Sequence, residues 1–177
     1  IRVVKAAILL SSLNSTRKAM QKNLVRKVFS HPIYFIAFGF GAGLSPFAPG
    51  TCGTLVGIPL YYFIQSLSLL NYAIVLLLAT LIGIWVCDVT ERGLGVHDYS
   101  GIVWDEVCGF GLTMWAAPSG WLWIVIGFIL FRIFDIVKPW PIAWIDRKMP
   151  GGLGVMVDDL MAGVYAWLSL QLIHRFF

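Results

Sequence analysis

The chain has 177 residues, of which 59% are hydrophobic and 12% are charged, and its formal net charge is +4. Soluble globular domains carry about 25% charged residues, so this composition, with a mean hydropathy of +0.82, excludes an ordinary water-soluble protein. Several apolar spans of about 20 residues each fill a chain of this length and leave no room for a second domain beside them. We therefore expect an all-α, polytopic bundle of membrane helices, and no nucleic-acid partner.

The first 31 residues are strongly basic. They contain seven lysines and arginines and no acidic residue. A polybasic flank marks the cytoplasmic side of a membrane protein and attracts anionic lipid. Residues 1–31 are accordingly predicted to form either an interfacial helix or a disordered tail that only orients the chain, while residues 32–177 form the membrane domain.

A segment rich in glycine and proline runs from Gly39 to Gly53, and Pro46 and Pro49 exclude a regular helix through it. Glycine-rich backbone that leads into a helix could cradle a phosphate, with Ser45 and Thr51 as its polar side chains. The alternative is a re-entrant or interfacial turn that needs small residues for close packing.

Five apolar runs are predicted to be helices. Several are shorter than the roughly 20 residues needed to cross a bilayer, so either the helices begin outside the hydrocarbon or their polar ends dip into it. The first two runs predict one hairpin, and the next two predict a second hairpin that turns at residues 118–120. The runs are Thr54–Leu67, Leu69–Cys87, Val107–Ala117, Trp121–Val137 and Leu160–Ile173.

All nine acidic residues lie between Asp88 and Asp159, mostly at the margins of these runs. Asp105 and Asp135 are thirteen and fifteen residues from the turn at residues 118–120, which is about 20 Å at 1.5 Å per residue. Antiparallel helices would therefore bring both to one level, where acids from neighbouring helix ends also converge. Charges at a membrane margin are costly unless paired, hydrated or metal-bound, so this cytosolic layer predicts a functional site.

Two adjacent acid pairs, at residues 105–106 and 158–159, each precede an apolar run. Acids at a helix start also favour the helix dipole, which is the purely structural alternative. Hard divalent cations such as Mg²⁺ bind carboxylate oxygens, so we predict a magnesium site. Asp88 and Glu91, which share a helix face, or Asp135 could complete or support the metal's surroundings. The predicted metal ligands are Asp88, Asp105, Glu106, Asp135, Asp158 and Asp159.

Proton transfer and phosphate binding have their own candidates. His97 and Asp98 lie in a loop and could act as general acid or base, although a loop histidine can also simply bond a carbonyl. Arg132 either pairs with Asp135 or, together with Lys138, binds phosphate oxygens. Motifs for a phosphocysteine or aspartyl-phosphate intermediate are absent, so metal-activated water is the predicted nucleophile. An acid-lined ion or solute transporter is the non-enzymatic alternative. The predicted catalytic residues are His97, Asp98, Asp105 and Glu106.

Four ordered sequence blocks carry a family resemblance. They are Gly-Leu-Ser-Pro-Phe-Ala-Pro-Gly-Thr-Cys-Gly53, Val-His-Asp-Tyr-Ser-Gly-Ile-Val-Trp-Asp-Glu106, Phe-Arg-Ile-Phe-Asp-Ile-Val-Lys-Pro-Trp-Pro141 and Gly-Gly-Leu-Gly-Val-Met-Val-Asp-Asp159. In these blocks the chain resembles the phosphatidylglycerophosphatase A family, whose bacterial members remove the phosphomonoester of phosphatidylglycerophosphate to give phosphatidylglycerol and inorganic phosphate. The resemblance covers most of residues 32–173 and leaves the basic N-terminal segment unmatched.

The resemblance implies a Mg²⁺-dependent, all-helical enzyme. It would be a multi-pass protein of the bacterial inner (plasma) membrane with its active site facing the cytosol, and its partners would be phosphatidylglycerophosphate and membrane lipids. A homo-oligomer is compatible with the sequence, but no motif requires one. The residues carried over from the family are the motif acids Asp105, Glu106, Asp135, Asp158 and Asp159, with His97, Asp98, Arg132 and Lys138 as a second tier.

Overall fold

The computed structural model describes residues 19–96, 99–149 and 151–176. These residues form helices and loops, and no β-strand occurs among them. The all-helical prediction is therefore confirmed for the described chain. The elements are α1 (19–30), α2 (Pro32–Ala37), a 3₁₀ segment (Gly39–Leu44), α3 (Pro49–Ile64), α4 (Leu69–Leu94), α5 (Trp104–Thr113), α6 (Trp121–Val137), α7 (Ile142–Lys148) and α8 (Gly151–Phe176).

Helix α3 begins at Pro49, earlier than the apolar run predicts. Proline is tolerated in the first turn of a helix because the N–H that it lacks would have no intrahelical partner there. Ala48, immediately before it, has a left-handed backbone with φ 43°. Residues 45–48 are thus non-helical and separate the 3₁₀ segment from α3, as the prolines predict. The residues on either side of them are helical.

Helix α4 continues to Leu94, beyond the predicted end at Cys87. The Ser68 hydroxyl caps its start by accepting a hydrogen bond from the N–H of Asn71 at 3.3 Å. Gly95, with φ 68°, ends the helix in the left-handed conformation that glycine tolerates. Asp88 therefore lies inside the last turns of α4 and not after it.

Helix α8 begins at Gly151, so the predicted helix start beside Asp158 and Asp159 is wrong. Both acids lie about two turns inside α8. Glycines have low helix propensity, which is why the sequence pattern did not extend this helix to residues 151–154. In the structure their missing side chains allow close packing, because a Cβ on Gly152 would collide with the carbonyl oxygen of Ile84 in α4. Tertiary packing here overrides local propensity.

Helix α8 is the central element and packs against α4, α5, α6 and α7. Met156, near its start, lies in one buried cluster with α2 and α4 residues, and Ala166 lies in a second cluster with Phe110 and Phe131. Because α8 packs against α5, acidic side chains on α8 can lie beside those on α5.

Helices α4 and α8, of 26 residues each, are long and apolar enough to cross a membrane. At 1.5 Å per residue each measures about 39 Å, which exceeds the hydrocarbon core of about 30 Å. One face of α4 leaves large apolar side chains exposed, among them Leu77, Leu81 and Trp85. Exposed apolar surface of this extent requires a lipid or protein cover, so membrane association is consistent with the structure.

Candidate active site

A cavity of about 520 Å³ opens between α3, α5, α6 and α8. Its wall combines five acidic residues with two basic ones, in a chain that is only 12% charged. The sequence predicted that Asp105 and Asp135 lie at about the same distance from the turn at residues 118–120. The structure agrees, because Asp105 of α5 and Asp135 of α6 line the same cavity. The charged lining residues are Asp105, Glu106, Arg132, Asp135, Lys138, Asp158 and Asp159.

Three of these acids form a tight group. One carboxylate oxygen from each of Asp105, Glu106 and Asp159 lies within 4.8 Å of the other two. Asp105 and Glu106 belong to the first turn of α5, where the helix dipole favours negative charge. Asp159 arrives from α8, and the side chains of Asp105 and Asp159 are only 7% and 4% exposed. The group therefore joins two helices that are far apart in sequence.

Glycines bring α5 and α8 close enough for this contact. A Cβ on Gly109 would lie 2.7 Å from the carbonyl oxygen of Asp159, and a Cβ on Gly163 would lie 2.5 Å from the carbonyl oxygen of Gly109. Real Cβ atoms essentially never approach backbone so closely, so a larger residue at either position would separate the helices. The position of Asp159 beside the α5 acids depends on this close crossing.

The two carboxylates of α5 have oxygens whose hydrogen-bonding capacity is not satisfied. Oδ1 of Asp105 and Oε2 of Glu106 are buried and have no hydrogen-bond partner among the described residues. Buried carboxyl groups without partners are costly, and a hard divalent cation would satisfy their oxygens.

The two cations of the cavity are held by the remaining acids. Nη1 of Arg132 lies 2.6 Å from Oδ2 of Asp135, one turn along α6, as the i,i+3 spacing predicts. Nζ of Lys138 lies 2.6 Å from Oδ2 of Asp158. Lys138 ends α6 with φ 44°, a backbone conformation that residues with a Cβ rarely adopt. Each cation is thus positioned by a carboxylate beside the α5 acids.

The N-terminus of α3 reaches the cavity because residue 50 is glycine. A Cβ on Gly50 would collide with Oε1 of Glu106 and would lie 3.2 Å and 3.3 Å from Nη1 and Nη2 of Arg132. No side chain caps this helix start, so its first N–H groups are not satisfied by a capping residue. Sequence reasoning recognised a glycine-rich segment but did not single out Gly50.

Several predicted residues lie elsewhere. Asp88 does not line the cavity and forms an ion pair of 2.9 Å with Arg92. Ser45 donates a hydrogen bond of 2.8 Å to the carbonyl oxygen of Phe47 and lines a different cavity. Thr51 is half-buried in the first turn of α3 and does not line the acidic cavity. His97 and Asp98 lie outside the described residues.

Two polar residues at the site were not predicted. Ser100 lines the cavity beside the acids. Thr54 places its hydroxyl oxygen 3.5 Å from Nη1 of Arg132. Ser100 could have been predicted, because it belongs to the second of the four sequence blocks. Thr54 was predicted only as the start of an apolar helix.

Apolar helices around a buried group of carboxylates and two cations form a site suited to a metal ion and a phosphate. The family model described as Phosphatidylglycerophosphatase A matches residues 35–174. Because this match spans well over half of the chain, the chain belongs to the phosphatidylglycerophosphatase A family, a family of phosphatases.

Known relatives agree with the family match. The chain is 46% identical over 140 residues to Phosphatidylglycerophosphatase A of Escherichia coli, covering 78% of this chain and 81% of the relative. It is 44% identical over 151 residues to Phosphatidylglycerophosphatase A of Haemophilus influenzae, covering 82% and 91%. A Bacteroides thetaiotaomicron protein, named provisionally as a phosphatidylinositol-3-phosphatase, is 44% identical over 146 residues, covering 76% and 89%. No solved structure matches the chain.

Proposed function

We propose that this chain hydrolyses the phosphomonoester of phosphatidylglycerophosphate to phosphatidylglycerol and inorganic phosphate. The names of the Escherichia coli and Haemophilus influenzae relatives support this substrate. The observation that carries the proposal is the group formed by Asp105, Glu106 and Asp159, whose oxygens lie within 4.8 Å of one another beside two positioned cations. Such a site can bind both a metal ion and a phosphate.

Asp105, Glu106 and Asp159 would hold Mg²⁺. The fit rests on the donor set, which consists of oxygens only, and on the buried oxygens of Asp105 and Glu106 that have no partner among the described residues. When bound, Mg²⁺ supplies a Lewis acid that lowers the pKa of water and stabilises negative charge on phosphoryl oxygens. Asp135 and Asp158 also line the cavity and would stabilise the site without binding the metal directly.

The phosphate itself is bound by the chain's own donors. Arg132 offers five N–H groups in a planar fork, of which the contacts with Asp135 and Thr54 occupy only part. Lys138 brings a second positive charge, which its ion pair with Asp158 holds at the wall of the cavity. The start of α3 adds the backbone N–H of Gly50, which no side chain caps. These donors bind and orient the phosphomonoester so that water attacks opposite the leaving oxygen.

The leaving alkoxide requires a proton, and the predicted donors are His97 and Asp98. Neither belongs to the described residues, but the nearby Ser100 lines the acidic cavity. This role remains a prediction from the sequence.

We also propose a multi-pass arrangement with the site on the cytosolic face. The basic N-terminal segment favours a cytosolic N-terminus. In addition to α4 and α8, the apolar helices α3 and α6 have 16 and 17 residues and measure about 25 Å, close to the thickness of the hydrocarbon. The acyl chains of the substrate would then stay in the bilayer while its headgroup enters the cavity.

The test is phosphate release from phosphatidylglycerophosphate by the purified protein in detergent with Mg²⁺, where no gradient exists that a transporter could use. Glu106→Gln removes one carboxylate from the group of three acids and should abolish phosphate release while leaving the helical content and the thermal midpoint measured without Mg²⁺ unchanged. Glu91→Gln is the matched substitution of another largely buried glutamate, outside the cavity, and should retain most of the turnover. Substantial turnover by Glu106→Gln would refute its assignment.

A further inference from the structure

A second cavity of about 510 Å³ adjoins the acidic one. It lies between α1, the end of the 3₁₀ segment, the start of α3 and the loop after α4. Its wall is mainly apolar and includes Leu24, Leu44, Leu94 and Val96. The function proposed above leaves this cavity unused.

The two cavities meet at Pro49 and Ser100, which line both of them. Pro49 is the first residue of α3, and Ser100 lies in the loop before α5. One elongated molecule could therefore extend from the acidic cavity into the apolar one. A lipid with a phosphomonoester at its end has this shape, because its charged terminus is followed by glycerol and then by apolar chains.

The two cavities differ in charge. The acidic cavity carries five carboxylates, whereas the described residues that line the second cavity include one charged residue, Lys27, and no acid. Nζ of Lys27 donates a hydrogen bond of 2.6 Å to the carbonyl oxygen of Gly93 and lies 4.8 Å from the centre of the Tyr34 ring. A lysine ammonium has three donors, so this fixed group retains donors for an anion. The second cavity thus suits an anion attached to an apolar body.

We propose that the second cavity binds the phosphodiester and the acylated glycerol of the lipid substrate, with Lys27 facing the phosphodiester. The identity of this lipid rests on the proposed function. In phosphatidylglycerophosphate a three-carbon bridge separates the phosphomonoester from the phosphodiester, so the two phosphates occupy adjoining cavities. Lys27 then selects lipids that carry a second phosphate between the reacting group and the acyl chains.

The decisive variant is Lys27→Met, which removes the charge and keeps an apolar side chain. It should raise KM for phosphatidylglycerophosphate about tenfold, the loss expected of one hydrogen bond to a charged group, and leave kcat unchanged. Lys22→Met is the matched control, because Lys22 is an exposed lysine on the same helix that does not line the cavity. An equal rise in KM for both variants would mean general attraction to an anionic surface and would overturn the proposal. A fall in kcat with unchanged KM would overturn it as well.

A binding experiment separates this proposal from the proposed reaction. Phosphatidylglycerol carries the phosphodiester and acyl chains but no phosphomonoester, so its binding requires no turnover. Calorimetric titration of short-chain phosphatidylglycerol should give a Kd about tenfold weaker for Lys27→Met than for the unmodified protein, and an unchanged Kd for Glu106→Gln. Gln21→Trp, at an exposed lining position, should also weaken binding by filling the cavity. Equal Kd values for all four proteins would refute lipid binding in the second cavity. If these differences in Kd are found but the protein releases no phosphate, only the proposed reaction is refuted.

Discussion

Gly50→Ala tests whether the start of α3 is part of the active site. The added Cβ would overlap Oε1 of Glu106 and press against the guanidinium of Arg132 at 3.2 and 3.3 Å. Both obstacles are the ends of flexible side chains, so they can move aside, and alanine is also the better helix former by about 1 kcal/mol. Stability should therefore change little. The catalytic geometry should change more, because displacing a catalytic group by about 1 Å can reduce the rate about 100-fold.

The assay compares phosphate release and thermal unfolding for Gly50→Ala and a control. Gly111→Ala is the matched control, since Gly111 is also helical and its new Cβ would meet only a methyl group of Leu76 at 3.2 Å. Gly50→Ala should lower kcat on the order of 100-fold, with a thermal midpoint within about 4 °C of the unmodified protein. Gly111→Ala should keep its kcat. Unchanged turnover by Gly50→Ala, or a loss explained by unfolding, would refute the close approach as a functional requirement.

Two further predictions concern the acids and the metal. Asp159→Asn should reduce phosphate release far more than Asp88→Asn, because Asp159 belongs to the group of three acids while Asp88 pairs with Arg92 outside the cavity; equal losses in a side-by-side kinetic assay would contradict this assignment. Chelation with EDTA should stop turnover, and Mg²⁺ should restore it and raise the thermal midpoint with concentration, since it binds the folded state. That rise should be absent in Glu106→Gln, and a rise of equal size there would argue against this metal site.

Local sequence patterns predicted helix positions better than helix lengths. The run at Trp121–Val137 is reproduced residue for residue by α6, because it is bounded by a turn at Gly120 and by Lys138, whose φ of 44° ends the helix. Helix α8 was predicted twelve residues too short, or about three turns, and nine of these residues lie at its start. Its glycines have low helix propensity, and the reason they are helical is the close contact with α4, which no local pattern contains.

The same distinction applies to the acids. Helix counting alone predicted that Asp105 and Asp135 reach one level, and they line one cavity. It also predicted that Asp88 arrives there, but Asp88 does not line the cavity and pairs with Arg92, one turn further along α4. Distance along a helix axis can be counted from a sequence, whereas the direction of a side chain around that axis depends on how the helix is packed.

The sequence by itself determined that this protein is apolar and helical, that its acids gather in one part of the chain, and that its motifs resemble those of one phosphatase family. Only the tertiary structure decided which acids meet. Asp158 and Asp159 are neighbours in sequence, yet Asp158 pairs with Lys138 while Asp159 joins Asp105 and Glu106. Successive residues on a helix point about 100° apart, so the close crossing of α5 and α8, made possible by Gly109 and Gly163, assigns the two carboxylates to different partners.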